Sequence, residues 1–279
     1  MYAYEILFNG NKLQLSGVER KWQILSVTGL NPPTSTLNEA NIVGQPGVMF
    51  VGSKINKRAI TFTIRVNHPC EVNRAELLAF LASNNEITLH ITTSRKDLYI
   101  DGKIEMNEYD IYTQSQMMMV SIVCPYPYFR NTEERITDSV ISTGGFQFPF
   151  SVNINERIRF DDLSILDRLI VYNYGQVETG LKIHLQFFED VTDPRIYNVD
   201  NINEYIGFKG EFLLGDVIEI NTNVNVKERA VLIRNGKRTK ILNRLLPGIT
   251  WLKIKNILVL KLSTSGYATI YNHDELAGI

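Results

Sequence analysis

The stretch from Gly29 to Val66 reads GLNPPTSTLNEANIVGQPGVMFVGSKINKRAITFTIRV and joins a long Gly/Pro-rich loop to a strongly alternating segment. In its last eight residues, AITFTIRV, isoleucine, phenylalanine and valine occupy every second position, which is typical of a strand with one buried face. Nothing in this stretch positions a nucleophile, a metal ion or a phosphate group. We therefore expect it to serve assembly and not catalysis.

The composition is that of an ordinary globular protein, with 279 residues, 44% hydrophobic and 21% charged residues and a net charge of −1. This length predicts one large or two medium domains. The nearly neutral charge argues against broad binding to nucleic acid or to an anionic membrane. No apolar run approaches the ~20 residues that span a bilayer. The N-terminus lacks the pattern of a secretory signal, and Cys70 and Cys124 suit two buried thiols in a reducing cytoplasm.

The first half of the chain predicts short strands and one helix. Asn9-Gly10-Asn11 favours a tight hairpin between Tyr4–Phe8 and Lys12–Leu15. The helix is predicted to start at Asn73 as N-cap, with Glu76 completing a capping box, Val72 and Leu77 forming a hydrophobic staple, and Asn84-Asn85 at its end. Residues 29–47 are predicted to form a long loop.

The second half is richer in strand patterns. Asn235-Gly236 between two short apolar or charged segments predicts a hairpin, and many short strands with little helix indicate an antiparallel sandwich. We thus predict a mainly β (β-rich α+β) protein: a sheet domain with one helix over residues 1–130, a polar linker over 131–145, and a C-terminal antiparallel β-sandwich over 146–279.

A search for chemistry leaves no catalytic, cofactor or metal site to predict. The four histidines stand apart from one another, and no HExxH, CxxC or GxSxG occurs. Asp161 and Asp162 are adjacent and would face opposite ways in a strand, and the group Glu189, Asp190 and Asp193 falls in a turn before Pro194, so a hydrolase pair is disfavoured. The basic segment 234–240, RNGKRTK, is typical of an exposed hairpin tip, although nucleic acid, an anionic glycan or an acidic partner remain alternatives.

Four groups of motifs, spread over essentially the whole chain, resemble the distal tail proteins of long-tailed, non-contractile bacteriophages. They are Gly29-Leu30 with the proline loop, Gly44 to Phe50 and Arg58 before its strand; Cys124-Pro125-Tyr126-Pro127-Tyr128-Phe129; Asn173-Tyr174-Gly175 leading into Leu181–Phe187; and Leu214-Gly215-Asp216, Leu246-Pro247-Gly248 and Tyr271–Ile279.

The resemblance implies a structural virion protein without cofactors, assembled in the bacterial cytoplasm and located at the phage tail tip. Proteins of this family form a homo-hexameric ring that joins the tail tube protein to the tail tip or receptor-binding proteins. Their N-terminal domain builds the ring, and their C-terminal domain is a galectin-like or carbohydrate-module-like sandwich. The resemblance implies no membrane and no specific nucleic acid as partner.

A ring requires two different faces of one subunit to meet. We expect residues 29–57, with the strand from Arg58 to Val66 behind them, to supply much of that contact. The expected interface residues are Ile42, Val43, Val48, Met49, Phe50, Val51, Lys57 and Arg58. Replacing Lys57 and Arg58 by glutamate is expected to leave the fold intact and to impair assembly.

Three alternatives stay open at this point. The C-terminal domain could be a module that binds host-wall carbohydrate and mediates adhesion. The chain could belong to a defective prophage or a tail-like bacteriocin, with the same ring chemistry. A tip-associated hydrolase is the third alternative, but it needs an acid/base pair or a Cys/His arrangement that the sequence does not supply.

Overall fold

The computed structural model describes residues 2–18, 20–42, 44, 46–110, 116–144, 161–166, 168–224 and 226–279. The chain divides into two units: unit 1 comprises residues 1–133 and 275–279, and unit 2 comprises residues 134–274. Most described residues lie in antiparallel strands, which confirms the mainly β prediction. No helix in the described part of the chain has the length and hydropathy required to cross a membrane.

The first ten strands and the helix follow one another along residues 3–131. They are β1 (Ala3–Phe8), β2 (Asn11–Gln14), β3 (Trp22–Thr28), β4 (Ser35–Asn41), β5 (Val48–Ile55), β6 (Arg58–Val66), α1 (Cys70–Leu81), β7 (Glu86–Thr92), β8 (Asp97–Tyr109), β9 (Met117–Cys124) and β10 (Phe129–Asn131).

The remaining strands are β11 (Arg135–Asp138), β12 (Val140–Gly144), β13 (Asp161–Ile165), β14 (Leu169–Tyr172), β15 (Thr179–Gly180), β16 (Lys182–Phe187), β17 (Val191–Thr192), β18 (Arg195–Asn198), β19 (Tyr205–Gly207), β20 (Glu211–Phe212), β21 (Val217–Asn221), β22 (Ala230–Arg234), β23 (Lys237–Lys240), β24 (Lys253–Ile254), β25 (Ile257–Leu262), β26 (Gly266–Asn272) and β27 (Glu275–Leu276). A 3₁₀ turn, Leu242–Arg244, follows β23.

Unit 1 is built on one large sheet in the order β2-β1-β7-β8-β9-β6-β3, and β10 pairs with both β8 and β27. The alternation predicted for residues 59–66 is confirmed, because Ile60, Phe62, Ile64 and Val66 are buried in the core of this unit. The predicted hairpin is confirmed as well: β1 pairs with β2, and Asn9 and Gly10 both adopt positive φ.

Two predictions in unit 1 are wrong in detail. Residues 29–47 do not form a continuous loop, since β4 lies within them and pairs with β5 as a separate two-stranded sheet. The helix begins at Cys70, after Pro69, and not at Asn73. Asn73 lies buried inside the helix, where its side-chain amide donates hydrogen bonds to the carbonyl oxygens of Lys21 and Asn67.

This geometry also removes the predicted capping box and staple. The side chain of Asn73 ties the first helical turn to the preceding segments instead of capping the helix, and Val72 is exposed. The helix ends at Leu81, before the predicted Asn84-Asn85 end. Asn84 adopts positive φ in the turn that follows, a conformation that asparagine tolerates better than most residues.

Unit 2 contains a six-stranded antiparallel sheet, β11-β26-β16-β21-β22-β23, and a four-stranded antiparallel sheet, β14-β25-β18-β19. One hydrophobic cluster includes buried residues from both sheets, as expected for a β-sandwich. Asn235 and Gly236 form the predicted tight turn between β22 and β23, both with positive φ. Three further two-stranded sheets, β12-β13, β15-β24 and β17-β20, complete the described part of this unit.

The segments around the predicted domain limits have structure of their own. Residues 131–145, which the sequence suggested as a linker, contain β11, and β11 pairs with β26 in unit 2. At the other end, β27 pairs with β10, and Leu276 packs into the core of unit 1. The last five residues thus extend unit 1, although the sequence placed them in the C-terminal domain.

Candidate assembly surface

The most unusual surface of unit 1 is the hairpin of β4 and β5, which we call the arm (residues 35–55). Every described residue of β5 is exposed, including Phe50 at 63% and Val51 at 67% of their surface. Consecutive side chains on a strand point to opposite faces, so both faces of β5 present apolar groups to solvent. Other exposed apolar residues extend this surface: Leu37, Ile42, Val48, Met49 and Ile55.

Among the strands that the structure describes, β4 and β5 pair with each other and with no other strand. A two-stranded hairpin is only marginally stable in water unless it packs against something else. Hydrogen bonds join the two ends of the hairpin at its base. The Asn56 side chain contacts the hydroxyls of Thr34 and Thr36, and the backbone amide of Asn56 donates to the carbonyl oxygen of Thr34. A contiguous exposed apolar surface of this kind marks an interaction site in soluble proteins.

The predicted interface residues differ from one another in how far the structure exposes them. Ile42, Val48, Met49, Phe50 and Val51 are all exposed on or beside the arm. Val43 lies outside the described residues.

The two basic residues after the arm also separate. Lys57 is exposed, and its ammonium lies 3.6 Å from the Glu105 carboxylate, itself mostly exposed. Arg58 is only 3% exposed. The expectation that Arg58→Glu leaves the fold intact is therefore wrong, because it would place a carboxylate in a buried site built for a cation.

Arg58 organises the segments around the base of the arm. Its guanidinium donates to the carbonyl oxygens of Pro127 at 2.7 Å, Gly29 at 2.6 Å and Asn31 at 2.7 Å, and also to that of Ala277. The guanidinium carbon lies 4.3 Å from the centre of the Phe129 ring. Burial lowers the pKa of Arg58 from its ordinary value, and burial raises the pKa of the neighbouring Cys124 thiol to about 12.

This arrangement explains two sequence motifs that the resemblance singled out. The Pro-Tyr-Phe segment supplies the Pro127 carbonyl and the Phe129 ring, and the segment after Gly29 supplies two more carbonyls to the same cation. Sequence reasoning missed this role because a lysine-arginine pair before a strand predicts an exposed surface. The register of β6 is the signal that was available: Arg58 shares the buried face of Ile60 and Phe62.

Three of the titratable residues considered for catalysis have partners in the structure. Asp193 accepts a hydrogen bond from the Gly210 amide at 2.6 Å, and Asp190 accepts one from the Leu214 amide at 2.8 Å. His184 lies 3.9 Å from the Glu219 carboxylate, and burial lowers its pKa. Among the described residues, no group of three or more His, Cys, Asp or Glu side chains is placed to hold a metal ion.

Comparison with known proteins identifies the fold. No protein-family model matches the sequence, and no curated protein matches it. Among solved structures, the SPP1 Dit protein, described as a paradigm of the hub adsorption apparatus in phages infecting Gram-positive bacteria, is similar at 14% identity and a TM-score of 0.71 over 98% of each chain. A chain of the phage P2 baseplate in its activated conformation with Ca is similar at 13% identity and a TM-score of 0.57 over all of both chains.

These matches define the class of fold: a mainly β chain with a one-helix sheet unit and a sandwich unit. Over essentially its full length, the chain has the fold of the Dit hub protein. The resemblance inferred from the sequence motifs is thereby confirmed for the fold.

Proposed function

We propose that this protein is a non-enzymatic structural component of a phage tail: a homo-hexameric distal hub that joins the tail tube to the tail tip or receptor-binding proteins. It would be assembled in the host cytoplasm and carried in the virion. The observation that carries the proposal is the likeness to the SPP1 hub protein over 98% of both chains. A defective prophage or a tail-like bacteriocin would use the same ring.

The arm supports the ring part of the proposal. Its exposed apolar side chains are not part of the described core of their unit, and a closed ring requires each subunit to present one face that a different face of its neighbour covers. We propose that Phe50 and Val51, with Ile42, Val48 and Met49 around them, insert against the neighbouring subunit. Val43 belongs to the same segment, and Lys57 lies at the edge of this surface. Arg58 acts behind it, by holding the base of the arm.

The test is the mass of the purified protein by light scattering, with negative-stain images of the main peak. We expect six times the chain mass of 31.9 kDa and a ring with a central hole. The double variant Phe50→Ser, Val51→Ser should remain folded and lose the ring. Val72→Ser is the matched control, because Val72 is equally exposed but lies on the helix and outside the arm.

The outcomes separate the parts of the proposal. A ring of wild-type protein that survives in the arm variant would refute the role of the arm and leave the hub standing. Wild-type protein that stays monomeric at high concentration, with and without tail tube protein, would refute the hexameric hub itself. Loss of the ring in Val72→Ser as well would show that any exposed apolar residue matters and would remove the specific support for the arm.

A second candidate function, recognition of host-wall carbohydrate by unit 2, has one observation in its favour. The rings of Tyr172 and Tyr174 are nearly parallel, 6.0 Å apart, and exposed on the same edge of the sandwich. Exposed aromatic rings can pack against the apolar faces of sugars. A glycan array with the full chain tests this function, comparing Tyr174→Ser with Tyr2→Ser, which alters a similar tyrosine pair in unit 1. Binding lost only in Tyr174→Ser would support it, and silence of the wild-type chain would refute it.

A further inference from the structure

Unit 2 contains a basic pocket that includes none of the residues assigned above to the ring contact or to the tyrosine pair. It has a volume of about 610 Å³ and lies where β22, β23 and the 3₁₀ turn meet. Arg234, Lys237, Lys240 and Arg244 line it, and none of the described aspartates or glutamates does. This volume is in the range of sites for small ligands or for one segment of a polymer.

The four cations differ in how far their charge is already balanced. Arg234 binds Asp216 through two nitrogens, with an Nη2–Oδ2 distance of 2.5 Å, and Lys240 lies 3.1 Å from Glu228. Neither Lys237 nor Arg244 forms an ion pair with a carboxylate in the described part of the chain. The residues that line the pocket therefore carry more positive charge than these two carboxylates balance.

Arg244 is held in a fixed orientation by backbone carbonyl oxygens and an aromatic ring, and it lies within electrostatic range of the Asp216 carboxylate. Its Nε donates to the carbonyl oxygen of Lys209 at 2.9 Å and its Nη2 to that of Glu211 at 3.0 Å. Its guanidinium carbon lies 4.1 Å from the centre of the Phe212 ring. A guanidinium has five N–H donors, so several remain for a ligand. The entropy cost of ordering this side chain is met by the fold before any ligand arrives.

Glycine at position 210 preserves this orientation. Its φ is +100°, and a Cβ at this position would lie 2.8 Å from Nη2 of Arg244. Any larger residue would therefore push the guanidinium away from its present place. The turn around Gly210 is itself closed by the bond from the Gly210 amide to Asp193.

We infer that this pocket binds a phosphate group of a ligand. Lys237 belongs to the edge strand β23 and Arg244 to the 3₁₀ turn, and Asn235 and Asn243 line the same pocket. Several donor-bearing residues from two different elements suit a tetrahedral oxyanion with several acceptor oxygens better than a planar carboxylate. Arg244 supplies a planar fork of donors, and Lys237 supplies a mobile point charge. This site is independent of the proposed ring.

The test is calorimetric titration of the full-length protein at about 0.15 M ionic strength, where weak surface attraction is screened. The probes are pyrophosphate, a poly(glycerol phosphate) oligomer, and polyglutamate of matched charge. Lys237→Gln removes an exposed charge from the pocket and should leave the fold unchanged. Lys255→Gln is the matched control, since Lys255 is an exposed lysine of the same unit outside the pocket.

We expect the wild-type protein to bind at least one phosphate probe, Lys237→Gln to weaken that binding about tenfold, and Lys255→Gln to change it less than about twofold. Binding of pyrophosphate would assign the site to a small phosphate compound, and binding of the oligomer alone would assign it to a polymer. Arg244→Gln should abolish binding, and its folded state is checked by circular dichroism.

Three results would overturn the inference. One is the absence of binding by both phosphate probes. The second is an equal loss of affinity in Lys237→Gln and Lys255→Gln, which would indicate attraction to the overall charge of the protein. The third is tight binding of polyglutamate without binding of phosphate, which would indicate an acidic protein segment as the partner.

Discussion

The guanidinium of Arg58 donates a hydrogen bond to the carbonyl oxygen of Ala277, a residue 219 positions further along the chain. The same guanidinium binds Gly29 and Asn31, just before the arm, so one side chain joins the base of the arm to the last residues of the protein. The amide of Ile279 adds a second link by donating to the carbonyl oxygen of Leu30 at 3.2 Å. The residues after β27 thus help to hold the segment that immediately precedes the arm.

The first prediction concerns the loss of this cation. Arg58→Met should lower the free energy of unfolding of unit 1 by about 3–5 kcal/mol, because it leaves several carbonyl oxygens buried without a donor. Arg58→Lys should lower the free energy of unfolding by less, because the lysine ammonium can replace part of the hydrogen bonding of the guanidinium. Urea-dependent hydrogen exchange, followed peptide by peptide, measures the two units separately.

The matched control for Arg58 is its neighbour. Lys57→Met removes an exposed ion pair with Glu105 and should change the stability by less than about 1 kcal/mol. Equal effects of Lys57→Met and Arg58→Met would show that the carbonyl contacts of Arg58 contribute nothing. If Arg58→Met increased hydrogen exchange, relative to the wild-type protein, more in unit 2 than in unit 1, this would contradict the placement of the cluster in unit 1.

The second prediction compares two glycines with similar backbone conformations. Gly29 has φ +87° and a Cβ there would lie 2.0 Å from the carbonyl oxygen of Ala59, whereas Gly10 has φ +79° and open space around it. Gly10→Ala should therefore cost about 1–2 kcal/mol from backbone strain alone. Gly29→Ala should cost at least about 2 kcal/mol more, because β6 must also move. Equal melting temperatures of the two variants would refute the close approach.

Several strands of this protein, though not β4, could be predicted from the sequence because period-2 alternation and Asn-Gly turns are local signals. They identified β6 and the hairpin of β22 and β23. The helix start was misplaced because Asn73 fits an N-cap pattern but donates to distant carbonyls instead. Whether Asn73 caps the helix or lies inside it depends on tertiary contacts, which a local sequence pattern does not reveal.

The assembly surface could be predicted only in part for the same reason. The excess of apolar residues in 42–51 is visible in the sequence and points to a partner. The burial of Arg58 depends on carbonyls brought from residues 29, 31, 127 and 277, and no local pattern encodes their meeting. The basic pocket likewise requires the 3₁₀ turn to bring Arg244 to the end of β22.

The third prediction concerns the reactivity of Cys124. Its thiol is fully buried, and burial raises its pKa to about 12, so very little of the nucleophilic thiolate exists at neutral pH. An alkylating reagent should therefore modify Cys124 only when unit 1 unfolds. Mass spectrometry of labelled peptides over time measures this rate, and Cys70, which is only partly buried, is the internal comparison. Labelling of Cys124 as fast as Cys70 in the native protein would contradict the prediction.

The last prediction concerns pH and the ion pair of Asp216 with Arg234 in unit 2. Desolvation alone would raise the pKa of this 2% exposed carboxyl, but hydrogen bonds from Arg234 and from the Leu213 amide outweigh it and lower the pKa below the ordinary 3.8. A carboxylate whose pKa is lowered by folding stabilises the folded state at pH values above its ordinary pKa. This stabilisation is lost as the pH falls through the pKa of the folded state. Asp216→Asn should thus lower the stability of unit 2 by about 2 kcal/mol at about pH 7 and by progressively less at about pH 3 and below. Urea unfolding followed by hydrogen exchange in β21 and β22 measures the difference.

Glu228→Gln is the control, because its ion pair with Lys240 is largely exposed and should contribute less than about 1 kcal/mol at either pH. A deficit in Asp216→Asn that stays constant down to about pH 2 would show that the carboxylate charge is not what stabilises this turn.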